Sequence, residues 1–271
     1  MTILELNHVG FRYRPDRPVL EDVNCRFETG VFYALVGKSG AGKSTLLSLM
    51  AGLDLPTEGE ILFEGRSTAG MDLSEYRRRY ASVIYQDFAL LPLLTVQENI
   101  QYPMALCGVP PQEAAQQARE LARRVSLPEE LLDRYPSRIS GGEQQRVAIA
   151  RSLTLDRRLL LADEPTGNLD SENSDIVIDL LRRLAHEEDR CVIVVTHDLS
   201  VMDQADVTYR VRDHRLERRC KPKKTGKPTR LPRFSYSHAV KDPDQHIPAE
   251  HRHQREGHAD AHELLRRHEV P

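Results

Sequence analysis

The sequence predicts an α/β protein, and three patterns carry the prediction. Short, continuous apolar runs, VFYALVG (31–37), RLLLADEP (158–165) and CVIVVTHD (191–198), suit parallel strands covered on both faces. Helical patterns alternate with them, over Lys43–Ala51, Gln112–Val125, Gly142–Leu153 and Ser171–His186. A third group, ILELNHVGFRY (3–13), VLEDVNCRFE (19–28) and GEILFEG (59–65), alternates apolar and polar residues like half-buried antiparallel strands. Pro92, Pro103, Pro110, Pro111 and Pro128 crowd a middle stretch that otherwise reads helical. The expected architecture is therefore an α/β core with an antiparallel β subdomain and an inserted helical subdomain at about 88–155.

Composition bounds the function. With 271 residues, 39% apolar and 29% charged, the chain has ample material for a core. No apolar run approaches the ~20 residues that span a bilayer. The opening MTILELNHVGFRYR lacks a basic-then-apolar leader, so a cytosolic protein is expected, with any membrane role supplied by a partner. Cys25, Cys107, Cys191 and Cys220 show no metal-ligand spacing and are expected to be free thiols.

The net charge of −3 is unevenly spread. Residues 218–271 hold 13 Lys and Arg against 7 Asp and Glu, which leaves the preceding residues at −9. RRCKPKKTGKPTRLPR is rich in Lys and Pro and poor in apolar residues, too poor to offset its ordering entropy. The body is expected to span 1–218, followed by a basic, His-rich, disordered tail over 219–271. Seven of the eleven histidines fall there: His238, His246, His251, His253, His258, His262 and His268. His258 and His262 share a face if HADAHELLRR is helical, which admits metal sensing. A solvated polar tail is the preferred reading.

The stretch after the first apolar run is the most specific signal. Gly37-Lys38-Ser39-Gly40-Ala41-Gly42-Lys43-Ser44, followed by Thr45, fits the P-loop pattern G-x-x-x-x-G-K-[ST] between a predicted strand and a predicted helix. Glycines let the backbone N–H groups close on phosphate oxygens, and the helix start adds its positive dipole end. Lys43 is placed for the β- and γ-phosphates and the Ser44 hydroxyl for Mg²⁺.

RLLLADEP narrows the chemistry. It sets Asp163 and Glu164 at the carboxyl end of a buried strand, where open α/β sheets bind ligands. Asp163 is placed to hold Mg²⁺, and Glu164 to orient and deprotonate an attacking water. No N-K-x-D guanine-reading motif is present, which disfavours a GTPase.

A second cradle opens SRISGGEQQRVAIAR. Ser140-Gly141-Gly142 precedes a helix nearly a hundred residues after the first cradle. SGGEQQRVAIAR resembles the signature of ABC-type ATPases, and the resemblance spans Ile3 to about Glu217. YQDFALLPLLTVQENI is similar to the family's Q-loop, with Gln86 at the switch. GNLD resembles its D-loop, with Asp170, and VVTHD its H-loop, with His197. Tyr13 is similar in position to the aromatic that stacks on adenine. Within the family, LLPLLTVQENI and DEPTGNLD most resemble the lipoprotein-release, macrolide-export and antimicrobial-peptide-export ATPases and the FtsE-like group.

The resemblance implies a P-loop NTPase core of ABC-ATPase type that hydrolyses ATP with Mg²⁺. It implies two ATPase domains facing head to tail, as a homodimer or paired subunit. Each ATP then lies between the P-loop of one and Ser140, Gly141 and Gly142 of the other. Gln86 is implied in Mg²⁺ and γ-phosphate contact, and His197 in γ-phosphate contact and water positioning. Integral membrane permease subunits are the implied partners, at the cytoplasmic face of a bacterial membrane, for export or release of a substrate. An FtsE-like ATPase regulating a membrane partner without transport is the alternative.

Three positions depart from the common pattern. Glu143 stands where many relatives carry Gln, Ile139 replaces Leu, and Asp213-His214 occupies a hairpin position that often holds Asp-Gly. Histidine tolerates positive φ better than most residues, so the turn is expected to survive. Nucleic acid is not an expected partner. The DNA-repair members carry a long coiled-coil insertion, absent here, and the translation-type members carry two cassettes in one chain, where this chain has one P-loop.

Overall fold

A computed structural model describes residues 1–220; the rest of the expected tail, 221–271, with its seven histidines lies outside the described residues. The strands and helices follow in order. They are β1 (Thr2–Arg14), β2 (Arg17–Glu28), β3 (Phe32–Gly37), α1 (Lys43–Met50), β4 (Glu58–Phe63), β5 (Arg66–Ser67), α2 (Leu73–Arg79) and β6 (Ala81–Ile84). Next come α3 (Val96–Leu106), α4 (Pro111–Arg124), α5 (Gly141–Ser152), β7 (Leu159–Asp163), α6 (Ser171–Glu188), β8 (Cys191–Thr196), α7 (Leu199–Gln204), β9 (Val207–Arg212) and β10 (Arg215–Cys220). β10 runs past Arg218, where the sequence places the end of the body.

The strands form two sheets. One has the order β2-β1-β4-β5 and is antiparallel throughout. The other has the order β10-β9-β3-β8-β7-β6. Four of its five pairings run parallel, and the fifth, the β9–β10 hairpin at its edge, is antiparallel. That hairpin turns on Asp213 (φ 48°) and His214 (φ 65°). Positive φ at both central residues is the requirement of the favoured two-residue turn, and His214 meets it without glycine.

The continuous apolar strands are buried on both faces, as the lack of alternation predicts. Phe32, Ala34 and Val36 of β3 point into one core with Val192 and Val194 of β8 and with residues of α3–α6. Tyr33 and Leu35, with Ile193 and Val195, point into the other, shared with α1 and the antiparallel sheet. Among the described residues, Cys25, Cys107 and Cys191 are free, and burial pushes the Cys25 thiol up to about 12. Asp206, just before β9, anchors the start of β3. One of its carboxylate oxygens accepts the Phe32 N–H at 2.9 Å and lies 2.7 Å from the His186 ring.

The inserted helical segment follows β6. Thr95 caps α3 in a reciprocal box with Glu98. Buried Asn99 donates to the carbonyls of Leu91, Leu94 and Thr95 and accepts from the Leu91 N–H, which fixes the loop that enters α3. Pro103 lies inside α3 without ending it. Among the described residues, no helix is long and apolar enough to cross a membrane.

Candidate nucleotide site

Parallel pairing of β3, β8, β7 and β6 brings the loops that follow them to one edge of the sheet. Three of these loops carry Gly37–Thr45, His197 and Glu164, and the fourth carries Gln86. In the first, Gly42 at φ 100° leads into α1, a conformation open to glycine and costly to other residues. No side chain caps α1, and the first N–H groups of a helix have no partner within it. Lys43 is buried, and its ammonium donates to the carbonyls of Gly37 (3.1 Å) and Lys38 (3.2 Å). The loop is thus held in a closed curve by the lysine that its sequence pattern assigns to phosphate. Tyr13 is exposed, stands edge-on to Phe11, and places its hydroxyl 3.4 Å from Thr45 Oγ1.

The acidic pair lies at the end of β7, with β8 between it and β3. The Ser44 hydroxyl donates to Asp163 Oδ1 at 3.5 Å. Burial raises the Asp163 pKa; the Ser44 bond and Lys43 pull it down, and Glu164 pushes it up. Glu164 adopts φ 46°, a strained value for a residue with a side chain. Two backbone bonds hold it there, from its own N–H to Val195 O (2.9 Å) and from Gly167 N–H to its carbonyl (3.0 Å). The turn sends its carboxylate to His197, whose Nδ1 lies 2.8 Å from Glu164 Oε2. Ser44 and Asp163 together present a hydroxyl and a carboxylate oxygen, the hard donor set that Mg²⁺ takes beside substrate phosphates.

The second cradle is built differently. Ser140 caps α5, and the helix begins at Gly141, one residue before the predicted Gly142. The Glu143 carboxylate accepts both the Ser140 N–H (2.7 Å) and the Ser140 hydroxyl (2.8 Å). An anionic oxygen of the chain itself therefore occupies the Ser140 donors of the cradle that the resemblance assigns to a phosphate. Asp170 is grouped with this cradle. It caps α6: its Oδ1 accepts the Asn173 N–H, and both its carboxylate oxygens accept from Asn173 Nδ2. Asn173 in turn accepts from Arg146 at 3.2 Å and crowds Gly142, where a Cβ would fall 2.2 Å from its Oδ1. Gly142 is small because α5 packs on the start of α6.

Gln86 sits between the two groups. Its carbonyl accepts from Asn168 (3.0 Å), and its amide leaves no room for a Cβ at Gly167. The sequence reading does not single out Arg151, Asn168 or Asn173. Arg151 and Asn168 bond to backbone carbonyls more than sixty positions away, and no local pattern marks such contacts.

Comparison with known proteins gives the family of the chain. Residues 20–167 match the family described as ABC transporter. An uncharacterized ABC transporter ATP-binding protein of Bacillus subtilis (strain 168), YclH, is 39% identical over 212 residues, covering 78% of this chain and 94% of that protein. The macrolide export ATP-binding/permease protein MacB of Syntrophobacter fumaroxidans is 40% identical over 225 residues, 80% of this chain but 31% of its own length. Among solved structures, the dimeric post-hydrolysis state of the ATP-binding cassette MJ0796, bound to ADP and Pi, superposes with a TM-score of 0.73. It is 34% identical and covers 80% of this chain and 97% of that one. The chain therefore belongs to the ABC transporter family as its ATP-binding, ATP-hydrolysing component.

Proposed function

We propose that this ATPase works as one half of a head-to-tail pair and drives export or release of a substrate through membrane permease subunits. Each nucleotide would be held between Gly37–Thr45 of one subunit and Ser140–Gly142 of the other. The observation that supports the pairing is the Glu143 carboxylate on Ser140: the start of the second cradle offers donors that hold an anionic oxygen. The dimeric MJ0796 cassette bound to ADP and Pi supports the same reading.

The residues then divide the work. Tyr13 stacks on the adenine. Backbone N–H groups of Lys38, Ser39, Gly40, Ala41, Gly42 and Thr45, with Lys43, bind the phosphates. Ser44, Gln86 and Asp163 would hold Mg²⁺, which would supply positive charge to offset that of the phosphates. Glu164 takes the proton of the attacking water, and His197 holds that water and the γ-phosphate in line. Asp170 steadies the second cradle through Asn173. Loss of the γ-phosphate removes the group the second cradle binds, so hydrolysis loosens the pair and turns phosphate chemistry into motion. Attachment to the cytoplasmic face of a bacterial membrane comes through the permease partners.

Mixing two defective variants tests the pairing. Lys43→Ala spoils the phosphate loop and Ser140→Arg blocks the second cradle, so each alone is nearly inactive. Random pairing makes about half of the dimers mixed, each with one intact site, so the mixture recovers part of the turnover. Full-rate hydrolysis by a monomer, with no membrane partner present, would overturn the pairing.

A further inference from the structure

The loop after β6 is held in an unusual shape. Phe88 (φ 63°) and Ala89 (φ 47°) are consecutive residues with side chains in the left-handed region. Such backbone persists only where its surroundings over-determine it. Two backbone bonds hold it from within, Phe88 N–H to Tyr85 O (3.2 Å) and Ala89 N–H to Asp87 O (2.7 Å), and one side chain of α5 holds it from outside. Arg151 sends Nη1 to the Ala89 carbonyl at 2.6 Å and Nη2 to the Phe88 carbonyl at 3.0 Å. A planar guanidinium fits two successive carbonyls as a fork; an ammonium offers one point of charge.

The same loop carries Gln86 on its other side, where the Asn168 amide and the Gly167 backbone close on it. The Phe88 ring also reaches the start of α5, lying 3.8 Å from where a Gly141 Cβ would stand. Gln86 is therefore clamped between residues 167–168 and the helix that begins at the second cradle.

We propose that Arg151 is a positioning residue for ATP hydrolysis, locking loop 85–89 in the shape that presents Gln86 to the nucleotide and tying that loop to helix α5. This rests on the reading of Gln86 as a nucleotide contact. The Arg151 guanidinium is spent on the Phe88 and Ala89 carbonyls, so its loss is expected to leave ATP affinity in place and to lower turnover through misplacement of Gln86. A displacement near 1 Å costs on the order of 10²-fold in rate. Because α5 also carries Ser140–Gly142, the tie makes one subunit's Gln86 loop sensitive to what its second cradle holds.

The test is a double-mutant cycle in the full chain, measuring kcat, the KM for ATP and thermal unfolding. Gln86→Ala and Arg151→Ala are each expected to lower kcat by roughly 10- to 100-fold with KM changed less than about threefold. The double variant is expected to turn over no slower than the slower single one, since residues acting as a unit are not additive. Arg151→Lys, which keeps the charge but not the fork, repeats the cycle if Arg151→Ala does not fold, and is expected to stay well below the parent. Multiplicative loss in the double variant, or a raised KM with kcat unchanged, would overturn the proposal while leaving the Gln86 assignment standing. An unaffected kcat in Gln86→Ala would overturn both.

Discussion

His197 Nδ1 lies 2.8 Å from Glu164 Oε2, across the ends of two adjacent parallel strands. The pair exists because Glu164 turns through positive φ and because its N–H extends the ladder to Val195. The carboxylate is thereby aimed by a neighbour that itself faces the open edge of the sheet. Glu164→Gln keeps this shape and removes the base. Turnover is expected to fall 10²- to 10⁴-fold with ATP binding retained. His197→Ala is expected to lower turnover as well, and the double variant to lose less than the product of the two losses. Steady-state turnover with ATP affinity on each variant decides it; undiminished turnover in Glu164→Gln would remove Glu164 from its role.

The two signature glycines are expected to behave oppositely in the nucleotide-free protein. A Cβ at Gly141 meets only ordinary contacts, the nearest at 3.7 Å, so Gly141→Ala leaves unfolding within about 1 kcal/mol of the parent or improves it. A Cβ at Gly142 falls 2.2 Å and 2.5 Å from Asn173 side-chain atoms. Asn173 cannot swing away without leaving Asp170 and Arg146. Gly142→Ala is expected to cost about 1–3 kcal/mol by overpacking. Denaturant unfolding of both variants without ATP checks the contrast.

Acid is expected to weaken the anchor at the start of β3. Burial alone would raise the Asp206 pKa, but the His186 ring and the Phe32 N–H outweigh it and hold the carboxyl below its ordinary value. With the folded pKa below the unfolded one, the unfolded chain binds the proton more readily. The contribution is complete above the unfolded value of 3.8 and is lost as pH falls through the folded one. Asp206→Asn should flatten that acid limb and lower the melting temperature near neutral pH by roughly 2–4 °C for each ~1 kcal/mol lost. Melting curves from pH 7 downward on parent and variant measure both effects.

A chain ending after Cys220 is expected to hydrolyse ATP and unfold as the full chain does. The lysine- and proline-rich composition that follows brings little apolar surface to bury. A chain ending after His214 lacks β10, whose register from Arg215 to Cys220 covers all of β9. That shorter chain should melt several degrees lower, about the shift expected for 1–2 kcal/mol. Equal melting of the two truncations would mean that β10 adds nothing to the sheet.

Much of this arrangement was legible in residues 31–37, 158–165 and 191–198, because a strand buried on both faces needs an unbroken apolar run. The chemistry at their ends was legible too, since phosphate binding restricts residue types at fixed spacing. Helix α3 was harder to assign as an element of its own. Pro103 lies inside it, and buried Asn99 interrupts its apolar face. The Thr95–Glu98 capping box was the signal that could have marked its start. The boundary at Arg218 missed the end of β10, because RLERRC has a charged face and reads like the basic segment that follows. The clamp on Gln86 had no local signature: it depends on where α5 and the turn after β7 come to lie.

The Glu143 carboxylate on Ser140 is a tethered competitor. A group joined through so short a stretch of chain acts at an effective concentration on the order of millimolar or above. Dissolved phosphate below that level loses the contest for the Ser140 donors. A phosphate held on another protein surface arrives with its own tether, and its orientation is fixed before it meets them. On the proposed pairing, the nucleotide phosphate held by a partner subunit would have to displace the Glu143 carboxylate from the Ser140 donors, and its tether would favour it over a free anion.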